Sequence, residues 1–131
     1  MSNTTVATEL AKLKDEAKQA WESTYKGKIR ISVQLSHCSQ SVGVLDVMQT
    51  LSNSLPDNCY LVTTGCDGAC FSAPRVIITD HNNIPHTFER VTSTTAAGII
   101  AQINSAYQGE DLYDKSFFSN QKRVAMYLCG E

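Results

Sequence analysis

Several quick routes to a function are closed by what this chain has little of. Net positive charge is missing: 11 Lys and Arg stand against 13 Asp and Glu, and no basic stripe is visible. Nucleic acid, whose backbone is recognised chiefly by such charge, is therefore not an expected partner. No apolar run approaches the ~18 residues of a membrane-spanning helix, so no transmembrane segment is expected. The opening Ser2-Asn3-Thr4-Thr5 is polar, so no secretory signal is expected. There is no glycine-rich phosphate loop and no dinucleotide-binding fingerprint, so the chain is not expected to be catalytic alone. A C-x-x-C pair opening a helix is also missing, which disfavours a thiol-disulfide enzyme. Repeats and low-complexity tracts are absent.

Cysteine is what the chain does have. Five is an odd number for a sequence without an export signal. That pattern suits a reducing compartment, with thiols kept for ligation or reactivity rather than for disulfides. The expected location is cytoplasmic, with attachment to the inner face of a membrane as the variant. The length of 131 residues suits one domain with a modest core.

The central stretch runs from Thr63 to Pro74 and holds Cys66 and Cys70 in C-x3-C spacing, with Gly65 and Gly68 around them. Apolar runs on both sides, Tyr60-Leu61-Val62 and Val76-Ile77-Ile78, read as short strands. The thiols then sit on a connecting loop, where glycines let backbone amides turn towards a ligand. Amides directed at sulfur favour thiolate, the metal-binding form. The plainer reading is two inert small residues on one loop.

Along the chain, Val6, Leu10, Leu13, Ala17, Ala20, Trp21 and Tyr25 recur at helical spacing, and Lys12, Lys14, Asp15, Glu16 and Lys18 cover much of the other face. This helix should pack its stripe on the body or on a partner, with Trp21 as an anchor. Ile29, Ile31 and Val33 alternate with polar residues as a first strand. Cys38 follows on a loop, with His37 beside it. A second helix is expected after Gly43, through Val44, Val47, Met48, Leu51 and Leu55, and its positive end would favour a thiolate at Cys38. Cys59 to Thr63 is the second strand, with Cys59 read as structural. Arg75–Thr79 and Ile84–Val91 are the third and fourth strands, joined by the turn Asp80-His81-Asn82-Asn83. His86 is expected to face solvent, and Pro85 confines its strand to an edge or to a strand start. Thr92 to Thr95 supplies caps for a last helix with Ile99, Ile100, Ile103 and Tyr107 inside. Pro74 is expected to cap the third strand in trans.

The element order matches an α/β, thioredoxin-like fold: a four-stranded mixed sheet with helices on both faces, preceded by an N-terminal helix. The first two strands, joined through a helix, should be parallel. That topology brings the Cys38 segment and the Cys66–Cys70 loop together at the C-terminal ends of neighbouring strands.

Several motifs then combine: Ala20-Trp21-Glu22 ending a helix, Cys38-x4-Gly43 with Asp46-Val47, Gly65-Cys66-x-Gly68-x-Cys70, Pro74 before an apolar strand, Val91-Thr92 before a helix, Phe117-Phe118-x-x-Gln121-x-Arg123, and Cys129-Gly130. With these the chain resembles the N-terminal region of the flavoprotein subunit of NADH dehydrogenases and of related NAD(P)-linked hydrogenases and formate dehydrogenases. The resemblance implies an N-terminal helix at 1–27, a thioredoxin-like ferredoxin domain at 28–108, and at 109–131 a linker with the start of an absent FMN- and NADH-binding domain. It implies an electron-transfer module carrying a [2Fe-2S] cluster on Cys38, Cys66 and Cys70, with Gly65 and Gly68 around it. FMN and NAD(H) would bind downstream, and the partners would be other subunits of such a complex. A second copy of the chain is a further candidate partner. The sequence departs from the family pattern at one place: the first segment offers one cysteine where the ferredoxins have two. Ser41, His37 and Cys59 are the candidates for the fourth ligand. Two further readings stay open: a cluster-free module for assembly and subunit docking, and a zinc site of Cys38, Cys66, Cys70 and a histidine.

Overall fold

The computed structural model describes residues 3–103 and 116–122. Helix α1 (Asn3–Tyr25) leads into strand β1 (Ile29–Gln34), a short helix α2 (His37–Ser41), helix α3 (Val44–Asn53), strand β2 (Cys59–Thr64), a 3-10 turn at Cys70–Ser72, strands β3 (Val76–Thr79) and β4 (Pro85–Phe88), and helices α4 (Ser93–Ile103) and α5 (Ser116–Ser119). The four strands form one mixed sheet in the order β2-β1-β3-β4. β1 and β2 are parallel, Ile29 opposite Cys59 and Gln34 opposite Thr64. β3 runs antiparallel to both β1 and β4. The expected α/β class, mixed sheet and leading helix are therefore present, and Pro85 does begin an edge strand.

Side-chain alternation divides the sheet's faces. Ile29, Ile31 and Val33 of β1 and Val76 and Ile78 of β3 join Val44, Val47 and Leu51 of α3 and Ala96, Ile99, Ile100 and Ile103 of α4 in one apolar core. α4 begins where Thr92 and Thr95 exchange bonds. Each backbone N–H donates to the other's hydroxyl, at 2.7 and 3.3 Å. That satisfies two of the donors a helix start leaves open. The opposite face carries Arg30, Ser32, Gln34 and Arg75, and α5 reaches it through Phe118, whose ring lies 5.8 Å from the Arg75 guanidinium.

Some expectations need correction. The Ala73-Pro74 bond is cis, not trans; an X-Pro amide loses most of the trans preference of other peptides. β3 starts at Val76, although Gln34 N still donates to Arg75 O at 3.2 Å, and β4 stops at Phe88, short of Val91. Arg90 has positive φ, 49°, and its N–H bonds back to Ser72 O at 2.9 Å rather than continuing the ladder. Cys38 lies within α2 rather than on an open loop. His86 is half-buried, 3.7 Å from Asp80, not solvent-facing. Trp21 is 53% exposed, lining a cleft with Tyr25 and Tyr60 rather than sitting in the core. Tyr107, the linker around Gly109-Glu110-Asp111, Arg123 and Cys129-Gly130 lie outside the described residues. No helix among the described residues is long and apolar enough to cross a membrane.

Candidate metal centre

β1 and β2 end side by side, with Leu35 N donating to Thr64 O at 2.9 Å. Both cysteine segments therefore depart from one edge of the sheet. After β1, Ser36 caps α2. Its hydroxyl accepts from Ser39 N at 3.2 Å, and Ser39 Oγ accepts from Ser36 N at 2.8 Å. This reciprocal cap explains why five residues form a helix here. It sets Cys38 in the first turn, exposed. Gly43, with φ 90°, then resets the chain for α3.

After β2, the loop folds around Asp67. Its Oδ1 accepts from Ala69 N at 3.0 Å and its Oδ2 accepts from Gln34 Nε2 at 3.0 Å. The Arg75 guanidinium closes the arrangement with an ion pair to the same carboxylate. The Asp67 and Arg75 side chains are both nearly buried, 7% and 3% exposed. Burial by itself would raise the Asp67 carboxyl. The bonds from Gln34 and Ala69 and the charge of Arg75 outweigh that and hold it below the usual carboxylate value. Gly68 turns the chain with φ 96°, a conformation a side chain would strain. Its N–H donates to Cys66 Sγ at 3.3 Å, as the glycine pattern suggested.

Two of the thiols meet: Cys66 Sγ and Cys70 Sγ stand 3.9 Å apart. Cys38, on the neighbouring segment, is near enough to influence the Cys70 thiol. Bonds from the Cys70 thiol to Cys38 and Cys66, with the charge those two sulfurs carry when ionised, push Cys70 up to about 11. Cys38 and Cys70 are exposed and Cys66 partly so. Among the described residues, no group of three or more His, Cys, Asp or Glu is arranged so that it could hold a metal ion.

The remaining candidates separate cleanly. Cys59 pairs with Ile29 at the opposite end of the sheet, is buried, and has its thiol raised by that burial. The structure does not bring it to the other three. Ser41 and His37 share α2 with Cys38, and Ser41 Oγ donates to Cys38 O at 2.8 Å. Gly65 sits at the loop's start without positive φ. The sequence reading missed Asp67, Gln34 and Arg75. The available signal was an arginine at the mouth of an apolar strand with an acid between two cysteines. Exposed Phe71 follows Cys70, and its ring meets Phe117 edge-on at 5.0 Å.

No protein-family model matches the chain, and no curated protein matches it.

Proposed function

We propose that this chain is an electron-transfer module of an NADH:acceptor oxidoreductase, a thioredoxin-like domain holding a [2Fe-2S] cluster on Cys38, Cys66 and Cys70. The observation that carries the reading is the 3.9 Å approach of Cys66 and Cys70 at the end of the sheet from which the Cys38 segment also departs. Cys38, Cys66 and Cys70 would supply three of the four ligands such a cluster requires, with His37 and Ser41 of α2 as candidates for the fourth. When bound, the cluster takes up and passes on single electrons. The residues of the chain supply the rest. The Gly68 amide stabilises negative charge on Cys66 Sγ, and Asp67 and Arg75 fix the loop. The strand order β2-β1-β3-β4 with a parallel first pair supports the thioredoxin-like assignment. The partners of this reading are the flavin- and NADH-binding part and neighbouring subunits, and its location is cytoplasmic.

Anaerobic purification tests it. Expected are visible absorption, bound iron and sulfide, and an electron paramagnetic resonance signal on reduction, all lost in Cys66→Ser and Cys70→Ser. A colourless, iron-free preparation that resists reconstitution would sink the proposal. One observation favours a second reading, a cluster-free docking module: the first segment contributes a single cysteine. Under that reading both serine variants keep full assembly with the partner subunits. Zinc alone in metal analysis would point instead to a structural tetrahedral site.

A further inference from the structure

Every residue of α1 from Thr5 to Trp21 is exposed. Val6, Leu10, Leu13 and Trp21 are each more than half exposed, at 52%, 51%, 58% and 53%. The helix reaches the body at its C-terminal end, where the Tyr25 ring lies 4.5 Å from that of Tyr60. A helix standing off its domain draws little stability from its own backbone bonds. An unpaired apolar stripe of this length marks an interaction surface.

The spacing says what kind of surface it is. Val6, Leu10, Leu13, Ala17 and Ala20 follow one another at alternating steps of four and three. This is the seam of a two-stranded coiled coil, with Leu10 and Ala17 at one core position and Val6, Leu13 and Ala20 at the other. The charges beside the seam choose the occupant. Glu9 and Glu16 flank it on one side, and Lys14 and Trp21 flank it on the other. In a parallel, in-register pair, each flank faces the opposite flank of the other helix, one heptad on. Glu9 then meets Lys14 of the other copy, twice by symmetry, and the stem of Glu16 lies along Trp21. An antiparallel pair would set Glu9 against Glu16 and Lys14 against its own kind. The stripe is therefore complementary to itself in one orientation.

We propose that α1 is a dimerisation helix, pairing in parallel and in register with α1 of a second copy of this chain. The alanines at two core layers keep the seam narrow and the association concentration-dependent. The proposal stands apart from the thiol site, so either can fail without the other.

Sedimentation equilibrium on the full chain, over a range from low micromolar to near-millimolar, tests it. The expected result is a monomer-dimer equilibrium. Leu10→Ser with Leu13→Ser should give monomer throughout while the cooperative melt of the sheet body is retained. Glu9→Lys places like charges across the parallel seam and should weaken dimerisation roughly tenfold at low salt, and adding Lys14→Glu should restore it. A wild-type monomer at every concentration would overturn the proposal, as would a dimer indifferent to loss of Leu10 and Leu13. Glu9→Lys strengthening the dimer would overturn the parallel arrangement, because that is the antiparallel signature.

Discussion

The two faces of one sheet are held by different physics. Ile31 and Val33 of β1 are fully buried against α3 and α4, an interface of hydrocarbon alone. On the other side of the same strand, Ser32 is just as buried and Gln34 is 4% exposed. There the partners are polar: Gln34 bonds Asp67, which pairs with Arg75. That face also carries buried polar atoms without a hydrogen-bond partner among the described residues, Ser32 Oγ and Thr64 Oγ1. The apolar face stabilises the domain non-directionally, in proportion to area. The polar face yields less net energy, since each bond replaces one to water. It specifies geometry instead, and the geometry it specifies is the loop carrying Cys66 and Cys70. A sheet with two apolar faces could be as stable, but it would have nothing to hold that loop in one conformation.

The sharpest way to break the polar face is to remove one member of its ion pair. Arg75→Met leaves the Asp67 carboxylate buried without its cation and should cost about 3–5 kcal/mol in chemical denaturation. Combining it with Asp67→Asn should return much of that loss, while the Cys66–Cys70 loop becomes more accessible to alkylation. A single Arg75→Met variant of wild-type stability would show that the pair contributes nothing.

The matching test of the apolar face is Leu51→Ala. Leu51 is fully buried, so the deletion should cost about 2–5 kcal/mol through lost burial and a residual cavity. The loop chemistry should be unaffected below the melting transition, which is where the two faces part company. Altered thiol reactivity in the folded Leu51→Ala protein would contradict that separation.

Acid titration distinguishes the faces next. Asp67 is held below its ordinary value in the folded protein. Its contribution is therefore complete above the unfolded carboxylate value of about 4 and disappears as pH falls from there through the folded value. Asp80 is also lowered, first by the bond from the Ile84 N–H, so wild type and Asp67→Asn both lose stability in acid. The wild type should lose more. Equal slopes in denaturation midpoint against pH would contradict the assignment to Asp67.

The smallest effect expected is at the thiols themselves. Cys70 is pushed up to about 11 by Cys38 and Cys66, so in the metal-free protein it should alkylate slowly at pH 8–9, speeding up as pH climbs towards that value. Cys38→Ser removes the larger of the two sulfur influences and should quicken Cys70 modification, read by peptide mass mapping. An unchanged rate would place Cys38 outside the group.

Much of this protein was determined by its sequence alone. Alternation in Ile29 to Gln34, the stripe in Val44 to Leu51 and the caps at Thr92 to Thr95 each set a local element, because backbone sterics, side-chain period and end-capping act within a few residues. The order of those elements sufficed for a mixed sheet with a parallel first pair. It also sufficed to bring the Cys38 segment and the Cys66–Cys70 loop to the same end of the sheet, since a right-handed crossover leaves little choice. Other matters were decided by tertiary structure alone. The Asp67–Arg75–Gln34 network joins residues from three segments whose pairing has no local signature. The early end of β4 depends on Arg90 N finding its acceptor at Ser72 O rather than on the neighbouring strand. The exclusion of Cys59 from the thiol site is a matter of which end of a strand it occupies once β1 and β2 align in register. Whether the α1 stripe would pack on the body was equally undecided, because a helical period says which face is apolar and nothing about what covers it.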